Sequence, residues 1–387
     1  MAERGPSGSD TSAAHSGTGG RRASEWRHRG ARRAESGTDV TGAEGMAVVL
    51  FGGVTAYAIF GGADFGAGFW DLCAGGAERG RRPRALIEHA IGPVWEANHV
   101  WLIFCLVVLW TAFAQTFASI TLTLFVPLSI AALGIVLRGS GFAFRKVVPT
   151  VAEQRLFGGA FAISSVIVPY CLGSVVGGIV SGRVPAGGRA GDRVSSWING
   201  SSIVGGLLAV TVCAYLAAVF LAYDAKRTND HELVGYFRRR AIGAGIVAGV
   251  LALVGYLVLA ADAKHLHDNL GDRGLPLVVV STVCGISALV LLLKEQIRVA
   301  RAFAVGAVVT VVWGWGVAQW PYLLPTSMTI ERGAAPHGTL VALFIVTIAA
   351  ALVIVPSLAL LYVLDQRNVF ELAPSDDGRE PSTSTGS

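Results

Sequence analysis

Proton transfer is the chemistry offered by the ionisable residues that stand inside otherwise apolar runs of this chain. In GPVWEANHVWLIF, residues 92–104, Glu96 and His99 are three apart and share a helix face, and Trp95 lies one turn from Asn98 and His99. A charged side chain at the bilayer centre costs roughly 2.5–3.5 kcal/mol on insertion scales, so such residues face a protein interior and serve a purpose there. Apolar surroundings favour the neutral form of an acid, which brings proton uptake and release within reach at ordinary pH. The competing reading pairs Glu96 with an arginine of the loop at 79–84. In GGADFGAGFWDL, residues 61–72, Asp64 sits among glycines that let a neighbouring helix or a water chain come close. Asp71, seven residues on, is expected as a solvated helix end. In LRGSGFAFRK, residues 137–146, Arg138 and Arg145 are seven apart and share a face. They either neutralise carboxylates on neighbouring spans or anchor a helix end at the membrane surface.

The elements that must position these residues follow from composition. Of 387 residues, 53% are hydrophobic and only 15% are charged, well below the charged fraction of about 25% in soluble domains. Apolar runs of about 20 residues predict nine membrane helices, near 46–74, 92–113, 117–138, 156–180, 201–223, 241–261, 275–294, 302–320 and 338–364. Counting residues at loop edges, sixteen lysines and arginines follow spans 1, 3, 5 and 7, against six after spans 2, 4, 6 and 8. That asymmetry places the first set in the cytoplasm, with the N-terminus outside and the C-terminus inside. It also accounts for the net charge of +5 without nucleic acid.

Residues 1–45, rich in Gly, Ser and Arg, are expected to be disordered, with Met46 as the natural start. The five cysteines lie in or beside apolar spans and supply neither a metal motif nor a disulfide framework. WGWGVAQWPYLLP, residues 313–325, reads as an aromatic belt. Among Gly-x-x-x-Gly pairs, those at 62/66, 173/177, 178/182 and 245/249 suit close helix packing. His99 is the only histidine clearly within a span, and no methionine is placed to pair with it. The chain therefore offers no axial ligand pair for a haem.

The four motifs GGADFGAGFWDL, IGPVWEANHVWLI, LRGSGFAFRK and GWGVAQWPYLLP, in that order, resemble subunit II of the cytochrome bd-type quinol oxidases, including their cyanide-insensitive relatives, over roughly residues 46–370. The resemblance implies an all-α membrane protein of two four-helix bundles plus one peripheral helix. The boundaries are then a disordered extension (1–45), a first bundle (46–180), a second bundle (181–320), an outside loop with the ninth helix (321–370) and a flexible tail (371–387). It further implies a heterodimer with a subunit I that holds haems b and d and the quinol site, in the bacterial inner membrane. This chain would bind no cofactor of its own, and the resemblance leaves small accessory subunits open. The pair would oxidise quinol and reduce oxygen to water, with subunit II stabilising the complex and lending acids to proton delivery from the cytoplasm. By motif, Asp64 and Glu96 match the family's acids, and Trp95, Asn98, Arg138 and Arg145 match their positions. Asp64, Glu96, Asn98 and His99 are the expected proton path, and Trp95, Arg138 and Arg145 the structural or charge-pairing set. Phe60 and Ala143 stand where many or some members carry further acids, so any path here runs with fewer carboxylates.

Two readings from other classes remain. One is a proton- or cation-coupled secondary transporter using Asp64 and Glu96, although the acidic stripe occupies only the N-terminal half. The other is a scaffold with no part in proton transfer.

Overall fold

The computed structural model describes residues 18–145 and 150–366, with side chains from residue 41 onward apart from 91–97, 145 and a few other positions. The helices are α1 (Thr18–Leu72), α2 (Ala77–Ala112), α3 (Ala114–Thr123), α4 (Phe125–Arg145), α5 (Val151–Val180), α6 (Gly200–Arg227), α7 (His231–Asp262), α8 (Lys264–Gly271), α9 (Leu275–Leu293), α10 (Ile297–Gln319), α11 (Ile330–Gly333) and α12 (His337–Gln366). Two short antiparallel strands, β1 (Tyr322–Leu324) and β2 (Met328–Thr329), lie between α10 and α11. Among the described residues, eight helices are long and apolar enough to cross a membrane, and a bent pair makes the number up to nine. This is a membrane protein of the expected all-α class.

Helix α1 is central. It packs against α2, α5 and α6, and also meets α10 and α12. The first bundle is α1, α2, α4 and α5; the second is α6, α7, α9 and α10, with α12 lying against α1 and α2. Polar residues at the ends start the helices where they do. Thr150 and Glu153 form a reciprocal capping box on α5, and Asn199 and Asp230 accept backbone N–H groups at the starts of α6 and α7.

Loop contacts sort the two ends of the bundle. Arg82, at the start of α2, pairs with Asp230 at 2.8 Å and with Glu232, both beside the α6–α7 turn. Arg238 pairs with Glu295 of the α9–α10 turn at 2.6 Å. The loops after spans 1, 5 and 7 therefore share one end. At the other end Arg183 pairs with Asp262, whose second oxygen accepts the Ser201 amide of α6 at 3.0 Å.

One expectation is corrected. The third span begins at Phe125, not near 117, because residues 114–123 form a separate helix bent by 115° from the α2 segment. The freed Ala112 carbonyl at that bend accepts the Ala335 amide at 2.8 Å, and Phe113 is fully buried. Ser119 and Thr123 of α3 then accept the amides of Gly188 and Gly191, which ties α3 to the loop before α6. Residues 1–17 lie outside the described residues, and from Thr18 the backbone runs as helix into α1, with Ala43 and Met46 buried.

Backbones touch where glycine allows it. A Cβ at Gly66 would stand 1.9 Å from the Cys213 carbonyl oxygen of α6, and one at Gly173 would stand 2.4 Å from the Gly205 carbonyl. Gly249, by contrast, faces open space, so the 245/249 pair is not a contact along its length. Gly66→Ala is expected to destabilise the protein by about 1–3 kcal/mol or more by forcing α1 from α6, while Gly249→Ala leaves the thermal midpoint of the purified complex unchanged or slightly raised. Equal midpoints for the two variants would contradict this packing.

Candidate functional site

Four helices converge on one buried ion pair. Asp64 of α1 and Arg138 of α4 are 0% and 3% exposed at the side chain. The Arg138 Nη1 donates to Asp64 Oδ2 at 2.8 Å and Nη2 to Oδ1 at 2.7 Å, a two-pronged contact, and Nη2 also reaches the Asp64 carbonyl at 2.9 Å. The Nε of Arg138 donates to Ser165 Oγ of α5 at 2.9 Å, and Asn98 Nδ2 of α2 donates to Asp64 Oδ2 at 3.1 Å. The guanidinium lies between the rings of Phe65 and Phe161, 4.9 and 4.7 Å from their centroids. Planar delocalised charge suits both the fork and the stacking, which an ammonium cannot supply together.

The glycines around Asp64 make this convergence sterically possible. A Cβ at Gly61 would press on Asn98 Oδ1 at 3.0 Å, and one at Gly68 would overlap Ser165 Oγ at 2.1 Å. Thus the run GGADFGAG lets α2 and α5 bring their polar groups to the carboxylate.

Beside the pair lies a cavity of about 10 Å³, lined by Tyr57, Phe65, Asn98, His99, Arg138 and two aliphatic residues. That is close to the least space one water occupies. The Tyr57 hydroxyl and Asn98 Oδ1 are buried without a hydrogen-bond partner, and both residues line this cavity. His99 is half-buried at the same cavity.

Of the residues singled out from sequence, Asp64, Asn98, His99 and Arg138 are brought together. The side chains of Trp95, Glu96 and Arg145 lie outside the described residues, so their places in the site are not assigned. For Arg138 the surface-anchor reading fails, because the side chain is sealed inside the bundle. Asp71 is a further correction. Instead of a solvated helix end it is buried and paired with Arg84 Nε at 3.0 Å. Arg84 also donates to the Gly75 carbonyl at 2.6 Å, closing the α1–α2 turn around the acid. Tyr57 went unnoticed in the sequence, although it precedes Asp64 by seven residues and so shares its helix face.

Among the described residues no three His, Cys, Asp or Glu side chains are grouped to hold a metal ion. The cavity at His99 is water-sized, and a larger groove of about 310 Å³ lies between α1, α6 and α7, lined by none of the residues singled out from sequence.

The family model for cytochrome bd terminal oxidase subunit II matches residues 44–365. The chain belongs to that family. It is 28% identical over 239 residues to the cytochrome bd ubiquinol oxidase subunit 2 of Bacillus subtilis (strain 168), covering 61% of this chain and 68% of the relative. A putative cytochrome bd menaquinol oxidase subunit II of the same organism is 22% identical over 321 residues, 80% of this chain and 91% of the relative. The solved structure of the bd oxidase from Geobacillus thermodenitrificans contains a chain 27% identical to this one, with a TM-score of 0.70 over 84% of this chain and 98% of that chain. As a subunit II, the chain is part of a quinol-oxidising membrane complex, an oxidoreductase of the respiratory chain, and works with a subunit I.

Removing one member of a buried ion pair leaves the other charge uncompensated, at a cost of about 3–5 kcal/mol. Arg138→Gln is expected to lose that much stability, and Arg138→Lys to recover little of it because the fork to Asp64 and the contacts with both rings are lost together. Unfolding midpoints of the purified complex check this, and full recovery with lysine would contradict it.

Proposed function

We propose that this subunit II supports a haem-bearing subunit I, carrying haems b and d, and delivers protons to it from the cytoplasmic side. The Arg-rich end that joins the turns after spans 1, 5 and 7 is then cytoplasmic, and the N-terminus lies outside. The complex sits in the bacterial inner membrane, with quinol and oxygen as substrates acted on in the partner.

In this reading Glu96 takes up the proton near the start of the second span and His99, three residues on, receives it. Asn98 orients the water beside Tyr57, and the proton leaves through that water toward the neighbour. Asp64 serves as the fixed anion. Its two-pronged bond to Arg138 holds Asn98 in place, and it keeps the Arg138 charge from repelling a proton on His99. The observation that carries the reading is the water-sized cavity lined by Tyr57, Asn98 and His99, where the Tyr57 hydroxyl and Asn98 Oδ1 are buried without a hydrogen-bond partner. A static scaffold has no need of two buried polar groups placed beside a histidine, since such groups cost stability unless they serve a purpose.

Glu96→Gln is expected to lower quinol oxidase turnover by about tenfold or more, with the haem spectrum of the co-purified complex unchanged and Glu96→Asp milder. Normal turnover in the Gln variant would favour the scaffold. A colourless single chain from affinity purification would refute the partnership itself.

A further inference from the structure

The groove between α1, α6 and α7 is lined by none of the residues of the proposed proton path. Its walls are apolar apart from Trp70, Thr211 and Arg240. The indole N–H of Trp70 is already bonded to the Ala214 carbonyl at 2.7 Å, and the Thr211 hydroxyl to the Leu207 carbonyl at 2.8 Å. Arg240 is different. Its guanidinium lies 3.3 Å from the Tyr236 ring centroid and 5.6 Å from that of Trp70, and it donates to the Tyr236 carbonyl at 3.3 Å. No carboxylate pairs with it among the described residues, whereas Arg82, Arg84, Arg138, Arg183 and Arg238 each have one. The buried Tyr236 hydroxyl next to it also lacks a hydrogen-bond partner.

Depth gives the missing partner its character. Trp70 stands two residues before the end of α1, beside the Asp71–Arg84 pair that closes the turn, so Arg240 lies at headgroup level on the Arg-rich end. From the groove, Val247, Val250, Val254 and Leu257 continue as an exposed apolar track along α7, at 50%, 56%, 38% and 62% exposure. Ten residues of helix make that track about 15 Å long, suited to an acyl chain. An uncompensated cation in a groove of about 310 Å³, with an aliphatic track running away from it into the membrane, is the arrangement that recognises a phosphate carrying fatty-acid tails.

We propose that Arg240, with Trp70 and the groove between α1, α6 and α7, is a binding site for an anionic glycerophospholipid of the bilayer, its phosphate on the guanidinium and one acyl chain along α7. The site holds the first bundle against the second at the level where α1 ends.

Native mass spectrometry of the full purified complex, with phosphatidylglycerol and phosphatidylcholine as probes, tests this. The wild type is expected to retain phosphatidylglycerol in preference. Arg240→Gln should lower its occupancy at limiting lipid about fivefold. Ala244→Trp, which fills the groove and leaves the arginine, should abolish it. Wild-type occupancy in Arg240→Gln, equal retention of phosphatidylcholine, or a neutral quinone recovered from the groove would overturn the proposal. Should Arg240→Gln fail to assemble, the delipidated wild-type complex decides: phosphatidylglycerol should raise its melting temperature where phosphatidylcholine and inorganic phosphate do not, and equal shifts would overturn it.

Discussion

A carboxylate and a guanidinium sealed among membrane helices each lose hydration worth several kcal/mol, and only a nearly complete set of hydrogen bonds offsets that loss. Asp64 and Arg138 obtain it from four helices at once, through Asn98 of α2, Ser165 of α5 and two flanking phenylalanine rings. Moving any one of those helices would leave a charged or polar atom unsatisfied. The first bundle is therefore specified by its polar centre as well as by its apolar packing. Interhelical hydrophobic attraction is weak where lipid tails are as apolar as leucine.

The same constraint gives the cavity at His99 its place. Arg138 and Asn98 are held by Asp64, so the Asn98 side chain has a fixed direction at the cavity that Tyr57 also lines. The proposed proton path depends on that fixed geometry and on Glu96 one helical turn before His99. In the proposed reading haem chemistry belongs to subunit I, and this chain supplies the path toward it. The lipid site at Arg240 belongs to the seam between the two bundles.

Much of this was legible in the sequence, because lipid imposes lengths and tolerates few charges. Spans announced themselves as apolar runs, and Asp64 stood out as an ion in the wrong solvent, while Arg138 stayed open between charge partner and surface anchor. What escaped depends on partners distant in sequence. The bend after α2 is stabilised by Ala335 catching the Ala112 carbonyl, a contact invisible in the apolar run around it. Asp71 looked solvated because the position of Arg84 depends on how the turn at 73–76 closes. Tyr57 resembles any tyrosine in a span until Asn98 of another helix comes beside it.

The central claim is that Asp64 and Arg138 act as one unit. A double-mutant cycle with Asp64→Leu and Arg138→Met, made singly and together in the assembled complex, tests it most directly by unfolding free energy. The paired variant should be more stable than either single one, with a coupling of about 3 kcal/mol or more. Losses that simply add would contradict the account.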